Sequence, residues 1–230
     1  MRLLALDTAS GLCSVALWLD GEVLTLEHAT AREHATLLLP MVGELLAGAG
    51  LAARDLAAIA FGRGPGSFTG LRVAASVAQG LALGAGIPVL PVSDLRALAL
   101  QARTRAMDSG ADARPWSIAC CMDARMGEVY AGTFLTTAGE LPAEAAEQVS
   151  PPDAYRPGGS IDLAIGKGFE AYAAALAPVT ATALHVFADA EPRAREIAGL
   201  AASDFAAGLA RDAADALPTY LRDNVARPSS

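Results

Sequence analysis

Twice in this chain a short apolar run ends in an aspartate and is followed, a few residues on, by a glycine and a further apolar run. The two instances are Leu3-Leu4-Ala5-Leu6-Asp7 with Gly11, and Cys120-Cys121-Met122-Asp123 with Gly127. A strand that stops at a carboxylate and turns back into a second strand is a specific local plan. Its recurrence in the other half of a 230-residue chain reads as a degenerate internal duplication, far from the many copies a solenoid needs. The length agrees with one large domain or two packed halves.

The elements around the two openings support this reading. Leu12 to Leu19 is a strand closed by the turn pair Asp20-Gly21, and Glu22 to His28 completes a three-stranded meander. From Glu33 to Ala49 the apolar period is helical. Ala57 to Phe61 is a strand, Gly70 to Ala85 a helix, Ile87 to Pro91 a strand and Asp94 to Met107 a helix, giving the order β-β-β-α-β-α-β-α. A polar linker, Asp108 to Pro115, separates a first half (1–107) from a smaller second half (108–230). There the pattern predicts strands over Trp116 to Met122, Gly127 to Thr136 and Ile161 to Ile165. It predicts helices over Gly168 to Leu176 and Arg193 to Arg211, and an exposed loop over Pro151 to Gly159.

Composition excludes several classes. The hydrophobic fraction of 53% and mean hydropathy of +0.36 are high, but 53 of the residues are alanine, so the stock of large apolar side chains is ordinary and disorder is excluded. The uncharged run Val73 to Ser93 is long enough for a membrane span, yet Ser76, Gln79, Gly80, Gly84, Gly86, Pro88 and Pro91 break it into a buried helix, a turn and a strand. Met1 to Leu6 is too short for the apolar core of an export signal and is cut by Asp7, so the chain is expected in the cytoplasm, with no membrane partner. A net charge of −8 argues against a free-standing nucleic-acid binder, so any RNA contact needs help. Cys13, Cys120 and Cys121 form neither a disulfide framework nor a zinc cluster and read as buried thiols; His28, His34 and His185 are too scattered for a metal motif.

The sharpest local motif is Gly62-Arg63-Gly64-Pro65-Gly66-Ser67-Phe68-Thr69-Gly70, between a predicted strand and helix. Gly64 and Gly66, the hydroxyls of Ser67 and Thr69, and free N–H groups at a helix start are the ingredients of an anion site. The motif is neither a Walker A loop nor G-x-G-x-x-G, because Thr69 stands where a glycine is required, and locally it favours a tight turn with Ser67 or Thr69 as cap. Asp7, Thr8 and Ser10 could hold a metal-bound nucleotide at the first turn, although a turn-capping role is the plainer reading. His34, after Arg32 and Glu33, has no partner near it in sequence and reads as a helix-start or interface residue.

The helices speak for a partner. Leu37, Leu38, Met41, Val42, Leu45 and Leu46, with Leu39 at the edge, cover roughly 200° of the first helix, about twice the stripe that one sheet contact needs. Pro40 should bend that helix. Val73 to Gly84 carries no charge, and Ala75, Ala78 and Ala82 would permit close helix approach. The candidate partner surface is therefore Leu38, Met41, Val42, Leu45, Val73, Val77 and Leu81, against the alternative that the chain's own second half covers it.

Taken together, five segments resemble the bacterial TsaB (YeaZ) family: Leu6-Asp7-Thr8; Arg32-Glu33-His34 before Leu39-Pro40; Gly62 to Arg72; Asp123-Ala124-Arg125-Met126-Gly127-Glu128-Val129-Tyr130; and Pro218-Thr219-Tyr220-Leu221-Arg222. The likeness spans nearly the whole chain, with little signal from Thr137 to Pro192. It implies an α/β fold of the actin-like ATPase (ASKHA, ribonuclease H-like) type, with two related halves of mixed sheets flanked by helices. It also implies a non-catalytic subunit that pairs with a TsaD-like paralogue and a TsaE-like ATPase. Their joint task is to place a threonylcarbamoyl group on N6 of the tRNA adenosine beside the anticodon, using an adenylate supplied by TsaC. The catalytic paralogue carries a metal-binding H-x-E-G-H-type motif where this chain has Ser93-Asp94-Leu95-Arg96-Ala97, so no catalytic or metal-ligating residue is expected. The resemblance further implies a homodimer when the chain is alone, tRNA contact mainly through the complex, and ATP or ADP bound, if at all, within the complex with TsaD. Arg32, Arg103, Arg105, Arg222 and Arg227 are the cationic candidates for RNA contact. The competing expectations are an actin-like-fold ATPase or small-molecule kinase acting on its own through Asp7, Thr8 and the Gly64 to Gly70 loop and, least favoured, a peptidase.

Overall fold

The computed structural model describes residues 1–30, 33–137, 142, 143 and 145–222. Five strands form the first sheet: β1 (Arg2–Asp7), β2 (Leu12–Leu19), β3 (Glu22–Ala29), β4 (Ala58–Gly64) and β5 (Val89–Ser93), in the spatial order β3-β2-β1-β4-β5. Five more form the second: β6 (Trp116–Asp123), β7 (Val129–Thr136), β8 (Glu147–Ser150), β9 (Leu163–Ile165) and β10 (His185–Phe187), in the order β8-β7-β6-β9-β10. The pairings repeat as well. β1 is antiparallel to β2 and parallel to β4, as β6 is antiparallel to β7 and parallel to β9. Asp7 and Asp123 end equivalent strands. The duplication read from the two openings is therefore a duplication of sheet topology, and two five-stranded mixed sheets flanked by helices make the α/β architecture of the actin-like fold.

The helices are α1 (His34–Gly48), α2 (Phe68–Ala85), α3 (Asp94–Asp108), α4 (Gly168–Ala171), α5 (Ala173–Thr180) and α6 (Ala194–Ala206). Strands buried on both faces read as continuous apolar runs, and β1 sorts its residues accordingly. Leu4 and Leu6 meet α1 and α2 on the outer face, whereas Leu3 and Ala5 meet α3 and α6 on the inner one. The inner seam holds much of the alanine. Ala5, Ala16, Ala58 and Ala60 on the strands face Ala194, Ala198, Ala201 and Ala202 on α6, letting that helix lie close to the sheet. Helix α3 also packs, through Leu95, Leu98, Ala99, Ala102 and Ala106, on Ile118, Cys120, Leu163 and Ile165 of the second sheet. The far face of that sheet is covered by α4 and α5 through Phe169, Leu176 and Val179.

The uncharged run divides as expected into most of α2 and all of β5, and no helix among the described residues is long and apolar enough to cross a membrane. Four details differ from the sequence reading. β8 and β10 are short edge strands that the apolar pattern does not reveal. The helix expected from Gly168 to Leu176 breaks at Tyr172, and the segment expected as a loop contains a 3-10 turn (Pro152–Ala154) followed by a buried Tyr155. Helix α6 stops at Ala206 rather than Arg211. Gly208 adopts φ +75° there, and the Leu209 N–H turns back to the Asp204 carbonyl at 3.0 Å.

Candidate functional site

A cleft of about 700 Å³ opens where the two sheets meet. Its first wall is the β1–β2 turn (Ser10, Gly11) and the glycine-rich segment from Pro65 to Phe68. The second wall is Asp123, Ala124, Arg125, Tyr130 and Lys167, and Thr219 to Arg222 complete the lining.

The glycine-rich segment is shaped by backbone contact. Ser67 N–H donates to the Ala9 carbonyl at 2.8 Å, and the Thr8 hydroxyl donates to the Gly70 carbonyl at 2.7 Å. A Cβ on Gly70 would lie 1.8 Å from the Thr8 oxygen, and one on Gly66 would lie 2.6 Å from the Ala9 oxygen. These glycines let α2 start directly against the β1–β2 turn. Ser67 caps the helix, with its hydroxyl facing the Gly70 N–H at 3.5 Å. Gly64 has φ +107° and lies beside the Thr219 carbonyl, with its own N–H donating to Asp94 Oδ2 at 2.6 Å.

Behind the loop two fully buried carboxyls, Asp7 and Asp94, converge on Gly62, whose missing Cβ would lie 2.7 Å from an oxygen of one and 2.5 Å from an oxygen of the other. Asp7 Oδ1 accepts from the Ala9 N–H at 2.8 Å. Burial pushes the Asp7 carboxyl up to about 6. Burial, then the charge and hydrogen bond of Asp7, hold Asp94 well above the usual carboxylate range. Like charges this close do not both ionise cheaply, so the pair resists giving up its last proton.

The five residues standing where the H-x-E-G-H-type motif falls are all absorbed by the fold. Ser93 caps α3 by accepting from Arg96 N–H at 3.0 Å and also bonds Glu147 of β8. Leu95 and Ala97 are core residues, and Arg96 forks onto Asp204 of α6 at 2.7 and 3.0 Å while donating to the Pro142 carbonyl at 2.6 Å. Glu147 further pairs with Arg63 at 3.4 Å, so one β8 carboxylate ties the second sheet to the first. Among the described residues no group of three or more histidine, cysteine or acidic side chains is placed to hold a metal ion.

Of the nucleotide candidates, the structure brings Ser10, Gly66 and Ser67 to the cleft surface. Asp7 and Thr8 lie fully buried beneath it, Gly64 is buried against Leu71 and Thr219, and Thr69 is exposed on the first turn of α2 without lining the cleft. Of the surface candidates, Leu38, Met41, Val42 and Leu45 are buried against the outer face of the first sheet, while Val73, Val77 and Leu81 sit half-buried at the edge of that core. Apolar area reaches solvent at Leu39, 50% exposed, and at Leu83, 60% exposed. His34 lines the cleft. Burial lowers its pKa, and its Nδ1 has no hydrogen-bond partner among the described residues. Arg32 and Arg227 fall outside the described residues; Arg105 pairs with Asp189 at 3.2 Å.

Sequence reasoning missed the cleft's charged residues from the second half. Lys167 pairs with Glu191 at 3.1 Å, and Glu191 also accepts from the Gly11 N–H at 3.2 Å. Arg125 pairs with Asp123 at 3.2 Å. Asp123 carried a signal as the counterpart of Asp7 in the repeated opening, and Arg125 one through the family-like segment from Asp123 to Tyr130, but nothing marked Lys167 or Glu191.

A two-halved α/β molecule with a cleft between its sheets is the class defined by this geometry, and the family described as "TsaD: tRNA N6-adenosine threonylcarbamoyltransferase" matches residues 27–229. The Escherichia coli "tRNA threonylcarbamoyladenosine biosynthesis protein TsaB" is 37% identical over 98% of this chain and 96% of its own length. A structure of YeaZ from Pseudomonas aeruginosa superposes with a TM-score of 0.82 at 40% identity, covering 96% of this chain and 99% of that one. A second, described as an uncharacterized protein with similarity to peptidase YeaZ from the same organism, reaches 0.84 at 40% identity over the same shares. The chain belongs to the TsaB family.

Proposed function

We propose that this chain serves tRNA threonylcarbamoyladenosine formation as a non-catalytic subunit, pairing with a TsaD-like protein and a TsaE-like ATPase in the cytoplasm. The observation that carries the reading is the near-full-length likeness to TsaB. It is joined by the sequence Ser93 to Ala97, which has no histidine and whose Ser93, Leu95, Arg96 and Ala97 serve capping, core packing and an ion pair. The test is reconstitution of tRNA modification from TsaC-, TsaD- and TsaE-like proteins with and without this chain. Full modification in its absence refutes the proposal.

Pairing is assigned to the outer side of α1 and α2. Leu45 belongs to the core, so the informative substitutions are Leu39→Asp at the exposed rim and Val77→Asp at the half-buried edge. Both should abolish self-association and TsaD pairing in gel filtration while leaving the circular dichroism unchanged. Intact pairing in both would move the interface elsewhere. In the isolated chain a homodimer would use this face, replaced by the heterodimer when TsaD is present.

The cleft itself favours a second reading, an ATPase or kinase acting alone, since Ser10, Gly66, Ser67 and Lys167 could receive a nucleotide there. ATP turnover by the purified chain, lost in Ser67→Ala, would support it. Nucleotide bound only in the presence of TsaD would fit the subunit reading.

A further inference from the structure

The segment Pro218 to Arg222 runs along the mouth of the cleft and is anchored on both sides. On the first side Thr219 N–H donates to the Arg63 carbonyl at 2.6 Å. Tyr220 packs against Phe68 in a tilted pair with ring centroids 5.3 Å apart, and its hydroxyl accepts from Arg72 Nε at 2.9 Å. The Arg72 guanidinium lies 3.7 Å over the Phe68 ring, so two aromatics and a cation lock this end to the start of α2.

Two residues later the chain reaches the opposite wall. Arg222 pairs with Glu128, donates to the Ala124 carbonyl at 3.1 Å and to the Arg125 carbonyl at 3.5 Å, and lies against Met126 Sδ at 3.6 Å. These carbonyls belong to the β6–β7 turn, where Arg125, Met126 and Gly127 take φ of +61°, +57° and +77° in succession. Two non-glycine residues held there are costly. That turn conformation brings the Ala124 and Arg125 carbonyls and the Glu128 carboxylate together around one guanidinium. Arg222 is mostly buried, with its side chain 17% exposed, so its charge-assisted bonds are worth more than those of a surface pair.

We propose that Pro218 to Arg222 is a clasp that holds the two sheets together across the cleft mouth, with Arg222 as the releasable end. Thr219 and Tyr220 fix the clasp to the first sheet, and the turn after β6 receives its tip. At the floor, the Gly11–Glu191–Lys167 bridge and α3 keep the halves joined. Releasing Arg222 therefore widens the mouth without separating the molecule. This inference stands on the chain's own geometry, whatever the cleft binds.

The test uses the full-length protein with spin labels at Ser76→Cys on α2 and Asp153→Cys after β8, both exposed, while the three native cysteines are buried. With the labelled protein diluted in unlabelled protein, so that only distances within one chain are read, the parent should give one narrow distribution. Arg222→Ala should shift it to longer distance and broaden it. It should also speed hydrogen exchange at the Glu128 amide by about tenfold or more, with the Thr219 amide and the α1 and α2 amides unchanged. Glu128→Gln, which keeps the shape and removes the charge, decides the matter if Arg222→Ala does not fold. Parent-like distance and exchange in a folded variant overturn the clasp.

Discussion

Replacing Gly70 by alanine should harm this protein although helix propensity says the opposite. Gly70 is the third residue of α2, and alanine in a helix is favoured over glycine by about 1 kcal/mol. Here the new methyl would fall 1.8 Å from the backbone oxygen of Thr8, an atom with no rotamer to escape into. The helix start must back away from the β1–β2 turn, which strains the packing by about 1–3 kcal/mol. It also breaks the Ser67–Ala9 and Thr8–Gly70 hydrogen bonds, at about 1 kcal/mol each. Less the propensity gain, the net loss is about 2–4 kcal/mol, or roughly 5–15 °C in Tm for a chain of this size. Gly199 in α6 is the control. A Cβ there meets Leu100 at 3.7 Å and Trp18 at 3.9 Å, ordinary contacts, so Gly199→Ala should stabilise by about 1 kcal/mol. Urea unfolding of the two variants measures both signs. A Gly70→Ala variant as stable as the parent would show that the glycine-rich segment does not need its close approach, and the account of how α2 is seated would fall with it.

The buried acid pair makes stability depend on pH in a stated direction. With folded pKa values above the unfolded ones, the pair binds a proton more tightly in the native state, so its contribution is full below the unfolded value and is lost as pH rises. For Asp7 the loss runs from 3.8 to about 6, and Asp94, held well above the usual carboxylate range by burial and by Asp7, acts in the same direction. Asp94→Asn keeps an acceptor for the Gly64 N–H and offers a donor to Asp7. It should flatten the slope of unfolding free energy between about pH 4 and 6 relative to the parent; an identical slope counts against proton sharing. Arg96→Met should cost about 1–3 kcal/mol in chemical denaturation, because the half-buried Asp204 carboxylate and the Pro142 carbonyl lose their partner. A loss below about 1 kcal/mol would mean that Asp204 rehydrates freely.

How far the sequence reached can be judged element by element. The first half was legible because its strands are long and apolar and its helices carry caps, such as Ser67 and Ser93, at their starts. The second half was legible only where it repeats the first. β8 and β10, of four and three residues, are edge strands whose pairing comes from neighbours rather than from their own pattern. At the cleft, periodicity pointed to the glycine-rich segment but not to what faces it. Asp94 and Asp7 lie in separate elements brought together only by the β1–β4 and β4–β5 pairings, and Glu191 meets Gly11 only once the halves close. The apolar arc of α1 was read correctly as wide. Most of it is spent on the protein's own sheet, a distinction that a helical wheel cannot draw.

The placement of α6 has a consequence for how the molecule is made. Its alanine face seals Leu3, Ala5, Ala58 and Ala60, and the Ala194 N–H donates to Ser14 Oγ at 2.9 Å across a sequence separation of 180 residues. During synthesis the first sheet can pair its strands early, yet the part of its inner face that α6 seals must wait, uncovered, for nearly the whole chain to emerge. Such distant contacts slow folding and leave apolar surface open to aggregation while they are pending. A ribosome-bound chain stopped before α6 would therefore be expected to recruit chaperones, and adding α6 should end that dependence.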